Sequence, residues 1–183
     1  VKTEGSLQLP IELWSASAFM EKDHDEQYWL GLYYGIIAAM FLYNLMVYLS
    51  IRDVNYLHYL YYIFGFGIFQ ISLNGLAFEY LWPQFPWWAN IATPFFIGCS
   101  FSGIVQFSRV FLQLKQNFPK LDLLSRAHYW MFVLVMLGAF FLPHSLVNKV
   151  ATLSAFSGSI LIFISAIASQ RNGLLQAKFF MIA

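Results

Sequence analysis

Two long uncharged runs, separated by a short polar turn, constrain this chain more than any other feature of its sequence. Asp, Glu, Lys and Arg are absent from Gln27 to Ile51 and again from Val54 to Phe78. About 20 predominantly apolar residues in a helix cross the ~30 Å hydrocarbon core of a bilayer, so each run is long enough for one crossing. Arg52 and Asp53 lie between the runs. The sequence therefore predicts a transmembrane helical hairpin.

Composition supports a membrane protein throughout the chain. Only 10% of the residues are charged and 60% are hydrophobic, whereas about 25% are charged in soluble domains. The lipid bilayer is therefore the first expected partner. The net charge is +1 and the basic residues form no patch, so we expect no nucleic acid partner. Cys99 is the single cysteine and lies in an apolar run, which favours a buried packing role.

Further apolar runs extend the hairpin into a bundle. A turn with two prolines and several tryptophans, from Trp82 to Trp88, indicates a membrane interface. The segment from Gln113 to Arg126 is polar and basic, and we expect Pro119 to break any helix there. The fold class is an all-α polytopic membrane helical bundle over residues 21–183, with five spans and the start of a sixth. The predicted spans are 28–51, 57–81, 87–112, 127–142, 147–169 and 174 onward.

The residues ahead of the first span have a different pattern. Ser6 to Trp14 alternates apolar and polar residues, which is typical of a half-buried strand. One strand is not stable alone, so we expect residues 1–20 to end an aqueous domain that begins upstream. Asp23 with Glu26 resembles a capping box, which predicts that the first helix begins near Asp23. The sixth helix has only begun at Ala183, and we expect the sequence to be a piece of a longer polypeptide.

The basic residues predict the orientation of the bundle. Connections on one side carry most of them, and the opposite connections carry Lys149 alone. Because cytoplasmic loops are enriched in Lys and Arg, the richer side is expected to be cytoplasmic and the amino terminus outside. The residues on the cytoplasmic side are Arg52, Arg109, Lys115, Lys120, Arg126, Arg171 and Lys178.

Three amides within the predicted spans are the candidate ligand-binding or helix-coupling residues. Asn44 lies in the first span, and Gln70 and Asn74, four residues apart, share one face of the second. Such amides commonly hydrogen-bond between helices, and a polar pocket or a switch is the alternative. No ionisable residue lies at the centre of a span, which argues against a pump. No catalytic motif, metal cluster or cofactor motif is present, and no catalytic residue, metal site or cofactor is predicted.

Several motifs resemble the bacterial seven-transmembrane receptors with diverse intracellular signalling modules. Leu9 to Phe19 is similar to the end of that family's extracytoplasmic sensor, a β-sandwich akin to carbohydrate-binding folds. The resemblance runs from about Leu9 to the end of the sequence and is most specific from Gly31 to Pro83. The matching segments are Gly31–Gly35, Leu42–Asn44, Tyr48–Asp53, Tyr56–Tyr62, Phe69–Pro83, Pro86–Gly98 and Ser108–Leu114.

The resemblance implies the membrane core of a signalling receptor in the bacterial inner membrane. It implies seven helices, a periplasmic amino terminus, an unidentified periplasmic ligand such as a carbohydrate, and a cytoplasmic output module in the same chain. Because outputs such as a diguanylate cyclase or histidine kinase work in pairs, we expect a homodimer. Whether the full-length protein is an enzyme depends on that module. Two alternatives remain: a transporter or channel lined by the three amides, or a membrane subunit binding haem through His58 and His128, or quinone.

Overall fold

The computed structural model describes residues 15–174 together with Ala177 and Phe180, and all of its regular elements are helices. A strand at Ser6–Trp14 and most of the sixth span lie outside these residues. The helices are α1 (Ala16–Ile51), α2 (Val54–Leu73), a π-helical turn (Ala77–Leu81), α3 (Pro86–Phe111), α4 (Leu114–Asn117), α5 (Pro119–Phe141) and α6 (His144–Arg171).

Within the described residues, four helices are long and apolar enough to cross a membrane. They are Ser17–Ile51, Pro86–Phe111, Pro119–Phe141 and His144–Arg171. Helix α2 has 20 residues and no charge, but it is not among these four, since its tyrosines, His58 and Gln70 lower its mean hydropathy. The helical membrane fold is confirmed, and the count of five spans stays a prediction.

Helix α1 begins well before the predicted position. The Ser15 hydroxyl caps it by accepting a hydrogen bond from the Ala18 amide at 3.3 Å, as N-cap serines do. The predicted start near Asp23 is wrong, because Asp23 lies inside the helix and accepts a side-chain hydrogen bond from Gln27 at 2.9 Å. Helix α1 has 36 residues and is therefore about 54 Å long. It ends at Arg52, which has a left-handed conformation with φ of 56°.

Helix α2 ends earlier than predicted. Its last residue is Leu73, and Gly75 follows the Asn74 cap with φ of 79°. Glycine adopts this left-handed conformation without steric penalty and commonly ends helices. The prediction of one helix from 57 to 81 is therefore wrong, and the chain continues as the π-helical turn from Ala77 to Leu81.

Helix α5 includes residues that were predicted to form a loop. It begins at Pro119, whereas the predicted fourth span begins at 127. Proline lacks an amide hydrogen and has a helical φ. It therefore breaks a helix when it lies in the interior, but it suits the first position. The segment from Lys120 to Arg126 is consequently helical rather than a loop.

The long helices run up and down, and two apolar clusters mark the ends of the bundle. One cluster joins Ile91 of α3, Val135 and Ala139 of α5, and Val147 and Ala151 of α6. The other joins the end of α3 to the end of α6 through Leu112, Leu114, Ala166 and Ala177. We call this second end the basic end, because Arg52, Arg109 and Arg171 lie at helix termini there and Arg126 lies in the second turn of α5.

Helices α2, α3 and α5 form the tightly packed centre. A Cβ added to Gly103 of α3 would lie 2.9 Å from the Tyr62 backbone of α2, and one on Gly65 would lie 2.9 Å from the Ser100 amide nitrogen. A Cβ on Gly98 would lie 2.9 Å from the Phe132 carbonyl oxygen of α5. Small residues thus allow close helix approach on both faces of α3.

Candidate functional site

Four polar side chains join α1 to α2 at the end of the hairpin remote from Arg52. The Gln70 amide donates a hydrogen bond to the Tyr33 hydroxyl at 2.7 Å, and the Asn74 amide donates one to the Tyr34 hydroxyl at 2.7 Å. The Tyr34 hydroxyl in turn donates to the backbone carbonyl oxygen of Gln70 at 3.2 Å. We call these four residues the tyrosine–amide cluster. Two predicted site residues, Gln70 and Asn74, therefore meet the same pair of tyrosines.

Asn44 does not join this cluster. Its amide donates to the Met40 carbonyl oxygen of its own helix at 2.8 Å. Its side chain lines a separate cleft of about 420 Å³ near the hairpin turn, together with Asp53, Asn55 and Gln113. The structure thus brings two of the three predicted site residues together and places the third near the basic end.

The chemistry of the tyrosine–amide cluster is neutral hydrogen bonding. Phenol and amide groups are each donors and acceptors, so they can exchange partners when a helix slides or turns. Such bonds between membrane helices contribute about 0.6 kcal/mol each on average. Hydrogen bonds of this strength hold α1 against α2 but can break and re-form when the helices move. Tyr33 and Tyr34 were not among the predicted residues, although Tyr33-Tyr34 lies in the motif Gly31–Gly35.

A buried ionic cluster at the basic end was missing from the sequence prediction. Asp122 of α5 has a side chain only 2% exposed, and its carboxylate accepts hydrogen bonds from two arginines. Arg109 of α3 contacts Oδ1 through Nε and Nη2, both at 2.9 Å. Arg126 contacts Oδ2 through Nε at 2.8 Å and Nη2 at 2.6 Å. Arg109 also donates to the Gln106 side chain at 2.6 Å. We call Arg109, Asp122 and Arg126 the arginine–aspartate cluster.

The sequence prediction misses this cluster because it treats Pro119 as a helix breaker. In a helix that begins at Pro119, Asp122 and Arg126 are four residues apart and face the same side. That spacing is visible in the sequence. The partnership with Arg109 across α3 and α5 is not, because it depends on how the two helices cross.

The two histidines considered as haem ligands have different surroundings. Both ring nitrogens of His128 are within hydrogen-bond distance of protein oxygens, at 3.1 Å from the Leu124 carbonyl and 3.2 Å from the Ser157 hydroxyl. His58 lines a cleft beside Arg109 and Arg126. No group of three or more His, Cys, Asp or Glu side chains suited to a metal ion occurs among the residues the structure describes.

Comparison with known proteins adds one match. The family model described as 7TM diverse intracellular signalling matches residues 26–183, which include every helix apart from the first part of α1. No curated protein and no solved structure matches the chain.

Proposed function

We propose, from the premise that this chain belongs to the 7TM diverse intracellular signalling family, that it carries a signal from the periplasm to a cytoplasmic output module. Membership makes the chain a multi-pass membrane receptor domain in signalling. The finer assignments are part of the proposal: five spans and the start of a sixth, a periplasmic amino terminus, and the bacterial inner membrane. The charge distribution supports this orientation, since all four arginines lie at the basic end.

The observation that carries the proposal is the continuity of α1. The helix runs unbroken from Ala16 to Ile51, so about 17 Å of it precedes the uncharged run. That part is exposed and charged, with Glu21, Asp23 and Glu26 on its surface. A rigid helix that begins outside the membrane and continues through it can transmit a displacement along its whole length.

The tyrosine–amide cluster provides a point where α1 can act on α2. Tyr33 and Tyr34 lie in α1, about two turns after the charged part, and their partners lie at the end of α2. A ligand changes the conformation only if it binds one helix arrangement more tightly than another. We infer that ligand binding outside shifts α1 and that the cluster exchanges hydrogen-bond partners as α1 moves.

The remaining components follow from the output expected of such receptors. A diguanylate cyclase or histidine kinase module in the same chain would need two copies, so the active form is proposed to be a homodimer. The ligand is a periplasmic molecule, and a carbohydrate fits the sensor that precedes this domain in similar receptors. A transporter lined by the three amides is less well supported, because Asn44 lies near the opposite end of the hairpin from Gln70 and Asn74.

A helix-breaking substitution in the outer part of α1 tests the proposal. In the full-length receptor in nanodiscs, His24→Pro should interrupt the helix, since an interior proline costs about 3 kcal/mol and removes a backbone hydrogen bond. His24→Ala at the same exposed position is the matched control. Each variant is prepared with and without the part that precedes Ser15, and nucleotide turnover by the output module is measured.

We expect removal of the outer part to change turnover in the His24→Ala receptor and to leave it unchanged in the His24→Pro receptor. The first result would show that the outer part controls the output, and the second that control passes along α1. Equal responses in both variants would contradict transmission through α1. If removal has no effect on either variant, the receptor function itself is wrong.

A further inference from the structure

A polar cleft opens at the basic end between α2, α3 and α5. Its volume is about 290 Å³, and it is lined by His58, Gln106, Arg109, Arg126, Tyr129 and Trp130, among others. Pockets for whole small molecules usually measure about 300–1,000 Å³. This cleft therefore suits one polar group of a larger ligand, and the chemistry of its walls indicates which group.

The cleft has an excess of positive charge. Two guanidinium groups share a single carboxylate, that of Asp122, which is buried and does not line the cleft. Arg126 uses Nε and Nη2 to contact Asp122, while its Nη1 has no hydrogen-bond partner among the described residues. The same side chain is 51% exposed. Asp122 thus holds Arg126 in place and leaves the two N–H groups of Nη1 available to bind a further acceptor.

The other walls of the cleft place it at the level of the lipid headgroups. Arg109 lies in the last turn of α3, and Arg126 lies in the first turns of α5. Tyr129 and Trp130 follow on α5, and Trp130 is 62% exposed. Tryptophan and tyrosine concentrate where the hydrocarbon core meets the headgroups. The cleft is consequently open at the depth where a phospholipid carries its phosphate.

We propose that this cleft binds the phosphodiester headgroup of an anionic phospholipid. Arg126 donates hydrogen bonds to the phosphate oxygens in the planar, two-pronged geometry that guanidinium groups favour. Arg109 and the Gln106 amide complete a polar wall, and Trp130 lies beside the glycerol and the first carbons of the acyl chains. Basic pockets between membrane helices are suited to such headgroups. This proposal depends on the membrane fold and not on the receptor function.

Binding of single lipids to the purified full chain in neutral detergent tests the assignment. The probes are phosphatidylglycerol and phosphatidylcholine with identical acyl chains, and native mass spectrometry gives the dissociation constant for each. Soluble glycerol phosphate is the third probe, because it carries the phosphate without the lipid. The variants are Arg126→Gln and Lys120→Gln. Lys120 lies on the same helix, is exposed and does not line the cleft, so it controls for loss of one positive charge.

We expect wild-type protein to bind phosphatidylglycerol more tightly than phosphatidylcholine. Arg126→Gln should weaken phosphatidylglycerol binding about fivefold, the effect of one basic side chain near an anionic lipid, and Lys120→Gln by less than about twofold. Should Arg126→Gln not fold, Arg126→Lys retains the charge opposite Asp122 but loses the two-pronged geometry, and weaker phosphatidylglycerol binding is again expected.

Three outcomes would overturn the proposal. Equal binding of the two lipids by wild-type protein would exclude a site for an anionic headgroup. Equal losses in Arg126→Gln and Lys120→Gln would mean that general attraction to positive charge, and not this cleft, binds the lipid. Glycerol phosphate binding as tightly as phosphatidylglycerol would assign the cleft to a soluble phosphate compound.

Discussion

The arginine–aspartate cluster allows the sharpest prediction about stability. Asp122→Asn keeps the size of the side chain and removes its charge, so both guanidinium groups lose their carboxylate. Arg109 is only 15% exposed, and it would be left as a poorly compensated charge between α3 and α5. Breaking a buried ion pair by removing one partner costs about 3–5 kcal/mol. We expect a loss near the lower end, because Arg126 is 51% exposed and can turn to water.

Removing the more exposed arginine should have a smaller effect. In Arg126→Gln, the Asp122 carboxylate keeps both of its contacts with Arg109. Arg126 is 51% exposed but Asp122 only 2%, so the loss should exceed the about 0–1 kcal/mol of a pair in which both side chains are exposed. It should stay below the about 3–5 kcal/mol expected when a buried partner is removed. The predicted order of destabilisation is therefore Asp122→Asn above Arg126→Gln, although both change one charge in the same cluster.

Unfolding by sodium dodecyl sulfate in mixed micelles, followed by tryptophan fluorescence, measures these free energies. Asp25→Asn is the matched control, since it makes the same chemical change at an exposed position of α1. A loss below about 1 kcal/mol for Asp122→Asn relative to this control would refute the reasoning. So would an Arg126→Gln variant that is destabilised as strongly as Asp122→Asn.

Three further predictions concern helix packing and orientation. Gly103→Ala should lower the unfolding free energy by about 1–3 kcal/mol, because the new methyl group meets the Tyr62 backbone, whereas Gly31→Ala, with no atom within 4 Å, should not. A double-mutant cycle of Tyr33→Phe and Gln70→Leu should give a coupling free energy of about 0.6 kcal/mol. A coupling of zero would contradict a stabilising hydrogen bond between these two side chains. In a Cys99→Ala background, an impermeant maleimide added to spheroplasts should label Glu21→Cys and not Lys115→Cys, and the reverse pattern would invert the proposed topology.

The apolar runs made the overall architecture predictable. Uncharged segments of this length have one stable conformation in lipid, because every backbone hydrogen bond must be made within the segment. Helices α1, α3 and α6 therefore lie where the sequence places spans. Short-range signals located the helix ends less well. Asp23 and Ser15 are both good N-cap residues, and the sequence does not show which of them ends the preceding segment.

The functional contacts were less predictable because they depend on pairs of helices. Gln70 and Asn74 were identified from their polarity, but Tyr33 and Tyr34 were two tyrosines among eleven. Asp122 and Arg109 are 13 residues apart, and their pairing requires the turn through α4 and the crossing of α3 with α5. A sequence pattern with helical period identifies the face of one helix; it does not identify the residue opposite on another.

The described contacts show two kinds of helix packing in the bundle, one through close backbone approach and one through side chains. Helices α2, α3 and α5 approach so closely that backbone atoms occupy the space beside Gly65, Gly98 and Gly103, and the arginine–aspartate cluster ties α3 to α5. Helix α1 packs on α2 through side chains, such as Ile37 against Gly67, and through the tyrosine–amide cluster. Hydrogen bonds of about 0.6 kcal/mol each are comparable to thermal energy, whereas separating a buried charge from its partner costs several times more. If α1 is displaced, we therefore expect its hydrogen bonds with α2 to rearrange first. Helices α2, α3 and α5 are expected to stay packed together and to move as one unit.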